Sequence, residues 1–291
     1  MDSKDWEILK TVAEEKNITK AAERLYTSQP ALTYRLKNME KEFNARILIR
    51  TSSGILLTSQ GEQLLEYAND MLRKMMNIKD RICNTAGKVH GSLRLGASSS
   101  FSHYQLPSLL EKFIALYPDV EISLKTGLSS KVHRMLQQEE IMAAIIRGDS
   151  NWQEEQYLLS EEPICLVSLH PLKLTDLPSR PRIDFKTDYS LQNIVETWWR
   201  ENFYRPPLIN MFVDNIDTCR QLVLRNLGWA IFPGIGLKEH DNLYVRPLHF
   251  KSGEPLTRRT WLVCRTSSLE LSVVRAFVEH VRSYTKTSLL K

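Results

Sequence analysis

The sequence predicts an α-helical N-terminal segment, one long connecting helix and a C-terminal α/β domain. Three observations carry this expectation. Short amphipathic segments fill the first 45 or so residues, an apolar seam recurs from Leu64 to Ile82, and strand and helix patterns alternate from Ser92 onward.

At 291 residues the chain is long enough for two domains and for a sizeable core. With 39 basic residues against 34 acidic ones, net charge alone does not argue for a nucleic-acid partner. Its distribution says more. Between Thr33 and Arg50 lie Arg35, Lys37, Lys41, Arg46 and Arg50, opposed by Glu40 and Glu42. Such a stretch can neutralise phosphates, although a solvated helix face reads equally well. The opening MDSKDWEILK has no apolar h-region, and no apolar run approaches the roughly 18 residues a membrane span needs. The expected location is therefore the cytoplasm, with no membrane partner. Cys83, Cys165, Cys219 and Cys264 are scattered, and the seven histidines form no HExxH-like cluster. Reduced thiols and no metal or other cofactor are expected.

In the first segment, Ser3 is expected to cap a helix running to about Glu15, with Trp6, Leu9, Val12 and Ala13 inward. Thr19 caps a short second helix with Ala21, Ala22 and Leu25 buried, and Tyr26-Thr27-Ser28 makes a tight turn. A third helix starts near Gln29-Pro30, where a proline costs no hydrogen bond, and carries Leu32, Leu36 and Met39 inward. Two short helices joined by such a turn make either a plain helical hairpin or a helix-turn-helix, whose second helix enters the major groove. On the second reading, the DNA-facing candidates are Ser28, Gln29, Pro30, Thr33, Tyr34, Arg35 and Lys37. Gln29 can pair bidentately with adenine, and hydroxyls and lysine suit phosphates.

The residues Ala21-Ala22-Glu23-Arg24-Leu25, Ser28-Gln29-Pro30-Ala31-Leu32, Leu36, Met39-Glu40, Arg50, Leu57-Thr58 and Gly61 form one run of more than forty positions. That run closely resembles the N-terminal signature of LysR-type transcriptional regulators. The resemblance implies a winged helix-turn-helix whose β-hairpin wing runs from about Ile47 to Leu57, with Arg50 and Ser52 or Ser53 on the phosphate backbone. Tyr34 and Arg35 depart from the family, which often has arginine and glutamine there, so its base-reading pattern cannot be copied across.

From Thr58 to about Ala86 the chain reads as one helix. Leu64, Ala68, Met71, Met75, Ile78 and Ile82 step by four and three, the 3.5-residue periodicity of a two-stranded coiled coil. Packing of that face on its own domain is the simpler alternative. Dimerisation is favoured by a helix-turn-helix that works on two half-sites, and the resemblance suggests pairs of dimers. Gly87 to Gly91 then breaks the helix as a hinge.

In the C-terminal part, strands are expected at Ser92–Ala97, Val120–Thr126 and Ile141–Ile146, with helices at Pro107–Tyr117 and Ser129–Gln138 between them. Later strands read at Ile164–Leu169, Ile183–Lys186, Leu208–Val213, Trp229–Phe232 and Arg259–Cys264. Helices read at Leu191–Phe203, at Ile216–Asn226 and from Leu269. The order implies a mostly parallel sheet covered by helices. It is similar to the two-lobed effector domain of the same family, of periplasmic-binding-protein type. Domains are then expected at 1–58, 59–90 and 91–291, with lobe one at 91–162 and 266–291 and lobe two at 163–265.

A ligand is expected in the cleft outside the carboxyl ends of the strands. There Ser98, Ser99, Ser100, Thr126, Ser129, Arg147 and Lys186 offer hydroxyls, a guanidinium and an ammonium to a small carboxylate or phosphate. Capping serines and a surface charge would explain the same residues. Within the family, Ser100 and Arg147 align with pocket positions. Ile145-Ile146-Arg147-Gly148, Phe185-Lys186-Thr187-Asp188, Trp198-Trp199 and Val213-Asp214-Asn215-Ile216-Asp217-Thr218-Cys219 resemble the citrate-sensing catabolite control subgroup. Trp198-Trp199 reads as packing rather than a platform for the ligand. A catalytic C-terminal domain finds no GxSxG, P-loop or GxGxxG. A cytosolic solute-binding protein is opposed by the DNA-binding start. The reading is a regulator that binds promoter DNA, pairs with itself and answers to a small anion.

Overall fold

A computed structural model of the protein describes residues 1–51, 54–83, 89–238 and 240–288, without the side chains of residues 50, 81, 83 and 285–288. It divides into two compact units, Met1–Thr85 and Ala86–Lys291.

The first unit begins with α1 (Ser3–Glu15), α2 (Ile18–Arg24) and α3 (Gln29–Glu42). The caps differ from expectation. Asp2 rather than Ser3 caps α1, because Asp2 and Asp5 form a reciprocal capping box, the Asp2 carboxylate accepting from Asp5 N while the Asp5 carboxylate accepts from Asp2 N. Asn17 rather than Thr19 caps α2, with Oδ1 accepting from Thr19 N and Lys20 N. The hairpin β1 (Leu48–Thr51) and β2 (Gly54–Leu57) follows, then α4 (Ser59–Cys83). Leu9, Val12, Ala21, Leu32, Met39 and Ile47 are at most 1 % exposed and form its core.

The Leu57-Thr58 and Gly61 motif has a local cause. Thr58 N and Gly61 N donate to Ile47 O and Thr58 Oγ1 respectively, and Thr58 Oγ1 donates to Arg46 O at 2.6 Å. A Cβ on Gly61 would stand 2.2 Å from Ile47 O, so only glycine lets α4 start this close to the strand. Along α4, Leu64 and Ala68 are buried in the unit's own core and do not belong to an external seam. Met71, Met75, Ile78 and Ile82 are exposed. Gly87 and Lys88 of the expected hinge lie outside the described residues, and its last residue, Gly91, has φ +104°. Among the described residues no helix is long and apolar enough to cross a membrane.

The second unit contains a sheet ordered β10-β6-β11-β5-β3-β4, with β9 paired to β6. Its strands are β3 (Gly91–Ser98), β4 (Val120–Gly127), β5 (Ala143–Arg147), β6 (Glu155–Ser168), β9 (Ala230–Pro233), β10 (Tyr244–Pro247) and β11 (Thr257–Cys264). A parallel pair, β7 (Arg182–Phe185) and β8 (Ile209–Val213), stands beside it. Only part of the expected parallel pairing holds: β3 pairs in parallel with β4 and β5, whereas β6 and β11 run antiparallel to their neighbours. The helices are α5 (Ser99–Tyr104), α6 (Leu106–Leu116), α7 (Ser129–Gln137), α8 (Tyr189–Asn202), α9 (Ile216–Leu224) and α10 (Ser272–Ser288).

Cores lie on both sides of the crossing strands. Leu93, Leu95, Leu106, Phe113 and Phe277 anchor lobe one, and Ile164, Leu166, Trp198, Trp199 and Trp229 anchor lobe two. Each fully buried side chain of this size contributes about 1.5–3 kcal/mol. Both lobes share β6 and β11. β6 pairs with β11 over Glu155–Pro163 and then with β9 and β10 over Ile164–Ser168.

Candidate DNA-reading helix and interlobe cleft

The N-terminus of α3 is a solvent-facing polar surface. Ser28 caps it through Ala31 N, and Pro30 sits in the first turn. Ser28, Gln29, Pro30, Tyr34 and Lys37 are exposed, and Thr33 is half-buried 3.5 Å from Gln29 Nε2. Leu32, Leu36 and Met39 face inward, which turns the opposite face to solvent. Arg35 is different. Its guanidinium donates to Asp5 Oδ1 at 2.8 Å and to Asp2 Oδ1 at 3.2 Å, so it ties α3 to α1 instead of standing free beside the DNA candidates. Glu40 accepts from Ile47 N and Leu48 N and so holds the entry to the hairpin. Arg50 pairs with Ile55 in that hairpin through its backbone, while Ser52 and Ser53 lie outside the described residues.

In the second unit a cleft of about 580 Å³ opens between the lobes. Ser98, Ser99, Ser100, Ser129, Arg147 and Lys186 line it together. Thr126 does not. It is exposed on the edge strand β4, and Gly127 and Leu128 take its place as the chain turns into α7. The N-termini of α7, α8 and α9 meet the cleft at Leu128-Ser129, Asp188 and Asn215-Ile216. Their dipoles favour negative charge there. The Ser98 hydroxyl is buried without a hydrogen-bond partner among the described residues, and Ser129 Oγ accepts from Arg147 N.

Arg147 is a buried residue, only 5 % exposed, and its guanidinium is in close ion-pair contact with Glu162 of β6. Burial, with Arg258 nearby, pulls its pKa down to about 9, so it stays cationic at neutral pH. Arg258 on β11 binds Asp188 Oδ2 and Ser190 Oγ and also donates to Arg147 O. Lys186 is exposed and has no carboxylate partner among the described residues, which makes it the free cation of the expected set.

Sequence reading missed His103, Tyr104 and Arg258, all of which line this cleft. Tyr104 OH reaches Asp217 Oδ1 at 3.4 Å, joining α5 of lobe one to α9 of lobe two, and burial followed by Asp217 pushes the phenol up to about 12. Asp217 is held by Arg220, which also binds Asp241. The available signal was the i, i+4 spacing of Ser99 and Ser100 with His103 and Tyr104, which puts them on one helix face.

Comparison with known proteins matches the same two parts. The LysR substrate binding domain fits residues 86–286, and the bacterial regulatory helix-turn-helix protein of the lysR family fits residues 3–62. The transcriptional regulator YraN of Bacillus subtilis (strain 168), whose role is uncharacterized, is 41 % identical over 282 residues, 97 % of this chain and 98 % of its own. YkuM of the same organism, likewise uncharacterized, is 34 % identical over 284 residues and 97 % of each chain. Among solved structures, full-length CbnR complexed with its target DNA superposes with a TM-score of 0.69 at 20 % identity, covering 97 % of this chain and 99 % of that one. The Vibrio cholerae virulence activator AphB gives 0.65 at 18 % identity, covering 98 % and 100 %. These structural likenesses speak for the fold. The sequence matches span nearly the whole chain, and the chain belongs to the LysR family of bacterial helix-turn-helix transcriptional regulators, DNA-binding proteins with a small-molecule effector domain rather than enzymes.

Proposed function

We propose that this regulator acts in the cytoplasm as a dimer, or a pair of dimers, on promoter DNA, and that a small carboxylate in the interlobe cleft sets its activity. The proposed boundaries are 1–58 for DNA binding, 59–90 for the linker and 91–291 for effector binding. Ser28, Gln29, Pro30, Thr33, Tyr34 and Lys37 of α3, with Arg50, Ser52 and Ser53 of the wing, contact the DNA. Arg35 positions α3 through α1. The exposed row Met71, Met75, Ile78 and Ile82 on α4 pairs the subunits.

One observation carries the effector reading. A buried, unpartnered serine hydroxyl and a free lysine share a cleft with three helix N-termini. Ser98, Ser99, Ser100, Ser129 and Lys186 are the ligand's first contacts. Arg147 is available where the ligand competes with Glu162. Citrate is the finer proposal, resting on the four resembling segments quoted above. Its charge meets opposition, because Asp188, Asp214 and Asp217 line the cleft alongside Arg147, Lys186 and Arg258. A di- or monocarboxylate meets less.

The test is a footprinting titration of the full-length protein on its own promoter, with and without citrate, beside Ser100→Ala and Lys186→Gln. A footprint that citrate alters in the parent and not in the variants supports the whole reading. A footprint indifferent to citrate retires citrate and leaves the regulator. Absence of any specific footprint would falsify the promoter assignment.

A further inference from the structure

Lobe two carries a second cavity, which shares Phe185, Thr187 and Leu191 with the cleft and is otherwise lined by other residues of β7, α8 and β8. The face of α8 bearing Gln192, Val195 and Trp199 stands off from β8 and from the turn at 203–207, enclosing about 630 Å³. That volume falls in the range of small-molecule sites.

Its floor is a buried cation. Arg182, at the start of β7, is 8 % exposed, and its guanidinium lies 5.9 and 5.7 Å from the ring centroids of Trp199 and Trp229. Nε contacts Asp184 Oδ1 at 2.6 Å. The two terminal Nη groups have no hydrogen-bond partner among the described residues. A guanidinium engaged along one edge retains a second edge that matches a carboxylate with two parallel N–H donors. In these surroundings such a bond gains strength, since Arg182 as a whole is only 8 % exposed and sits in a low local dielectric.

The charges around the cavity limit what fits. Arg182 and Asp184 cancel, and Glu196 and Arg200 form their own pair at 3.2 Å. Arg205 at the exposed rim has no carboxylate partner among the described residues, leaving one positive charge in surplus. The remaining walls are mostly apolar, with Val195, Phe203, Pro207, Ile209 and Phe212, and Thr187, Gln192 and Tyr204 add polar groups. Phe212 is 64 % exposed and Ile209 49 %, an apolar mouth with nothing of this unit packed over it.

We infer that this cavity is a second ligand site, for an apolar monocarboxylate whose carboxylate binds Arg182 and whose body lies against Trp199, Phe203 and Phe212. Its carboxylate-binding group, Arg182, does not line the interlobe cleft, although Phe185, Thr187 and Leu191 border both spaces.

Calorimetric titration of the full-length protein with 3-phenylpropionate, and with its uncharged amide, tests the site. The acid should bind saturably at one site per chain, and the amide at least about tenfold more weakly, the loss expected for a missing charge-assisted hydrogen bond. Arg182→Gln risks the fold because Arg182 is buried, so the decisive variants sit at exposed positions. Gln192→Trp fills the rim and Phe212→Glu sets a carboxylate at the mouth. Each should weaken the acid at least about tenfold with an unchanged circular dichroism spectrum, by blocking space or by like-charge repulsion. Lys186→Gln in the cleft should leave its affinity unaltered. The inference fails if the acid gives no saturable heat up to about 10 mM, a limit far weaker than a formed pocket should give. It also fails if the amide binds equally, or if affinity is lost in Lys186→Gln and kept in the other two.

Discussion

Arg258 Nη2 donates to Asp188 Oδ2 at 2.5 Å, and the same nitrogen donates to Arg147 O at 3.3 Å. A strand shared by both lobes is thereby tied to the cap of a lobe-two helix and to the last residue of a lobe-one strand. Asp188 also accepts from Ser190 Oγ and Leu191 N, so its carboxylate caps α8 and answers a buried cation at once.

Removing this carboxylate should be costly. Asp188→Ala leaves Arg258, 3 % exposed, without its counter-charge, and the expected loss is about 3–5 kcal/mol. Thermal denaturation should show a clear fall in Tm, and an unchanged Tm would deny the pair its role. The pH dependence has a definite sign. Burial opposes the charged form of Asp188, but Arg258, Ser190 and Leu191 N outweigh it and hold the carboxyl below its ordinary value. Its stabilisation is therefore fully present above about pH 4, the unfolded value, and is lost as pH falls through the lower folded value. Acid titrations of the parent should show that loss, and Asp188→Ala should lack this part of it.

Gly148→Ala should destabilise the second unit by about 1–3 kcal/mol. Gly148 has φ +105°, and an added Cβ would stand 2.4 Å from Ser190 Oγ, itself held by Asp188 and Arg258. The backbone cannot swing away, since Gly148 N donates to Arg259 O and Gly148 O accepts from Trp261 Nε1. Chemical denaturation of the purified variant measures the cost.

Lys37 and Arg35, two positions apart on α3, should behave differently. Lys37→Ala removes an exposed charge and should weaken DNA binding at all sequences while lowering the salt slope by about one. Arg35→Ala should leave that slope unchanged and lower stability only slightly, because its ion pairs with Asp2 and Asp5 lie at the solvent-screened surface. Binding titrations across a range of salt separate the two.

Ile78→Asp on α4 should dissociate the oligomer without unfolding the chain, since Ile78 is 57 % exposed. Leu64→Asp, from the same heptad reading, should unfold the first unit instead, because Leu64 is 9 % exposed within its core. Sedimentation velocity and circular dichroism together distinguish these outcomes.

The contrast between Leu64 and Ile78 also shows where sequence reading stops. Periodicity finds a helix and its apolar face, but it does not say what covers that face. Helices α1 to α3 and, apart from α5, the alternation from β3 to α7 were legible because each is a local pattern. The first half of β6 was not: its residues Glu155 to Glu162 mix charges with apolar positions, and their partners on β11 lie about a hundred positions away. The short α5, six residues long, has too few turns to show a period. In the cleft, the serines at strand ends could be read from position alone. That Glu162 takes the guanidinium of Arg147, or that Arg258 holds Asp188, depends on pairings that spacing does not encode.

The shared strands also constrain how an effector can act. The lobes are not joined by slack loops: β6 runs unbroken from Glu155 to Ser168, hydrogen-bonded to β11 along its first half. The register slips between Thr260 and Trp261, where Leu159 is the unmatched residue, and such an extra residue bends a ribbon and increases its twist. Lobe movement must therefore wring this two-stranded ribbon rather than swing on a free joint. Torsional stiffness at Leu159 then becomes a quantity that mutation can tune without touching either ligand or DNA.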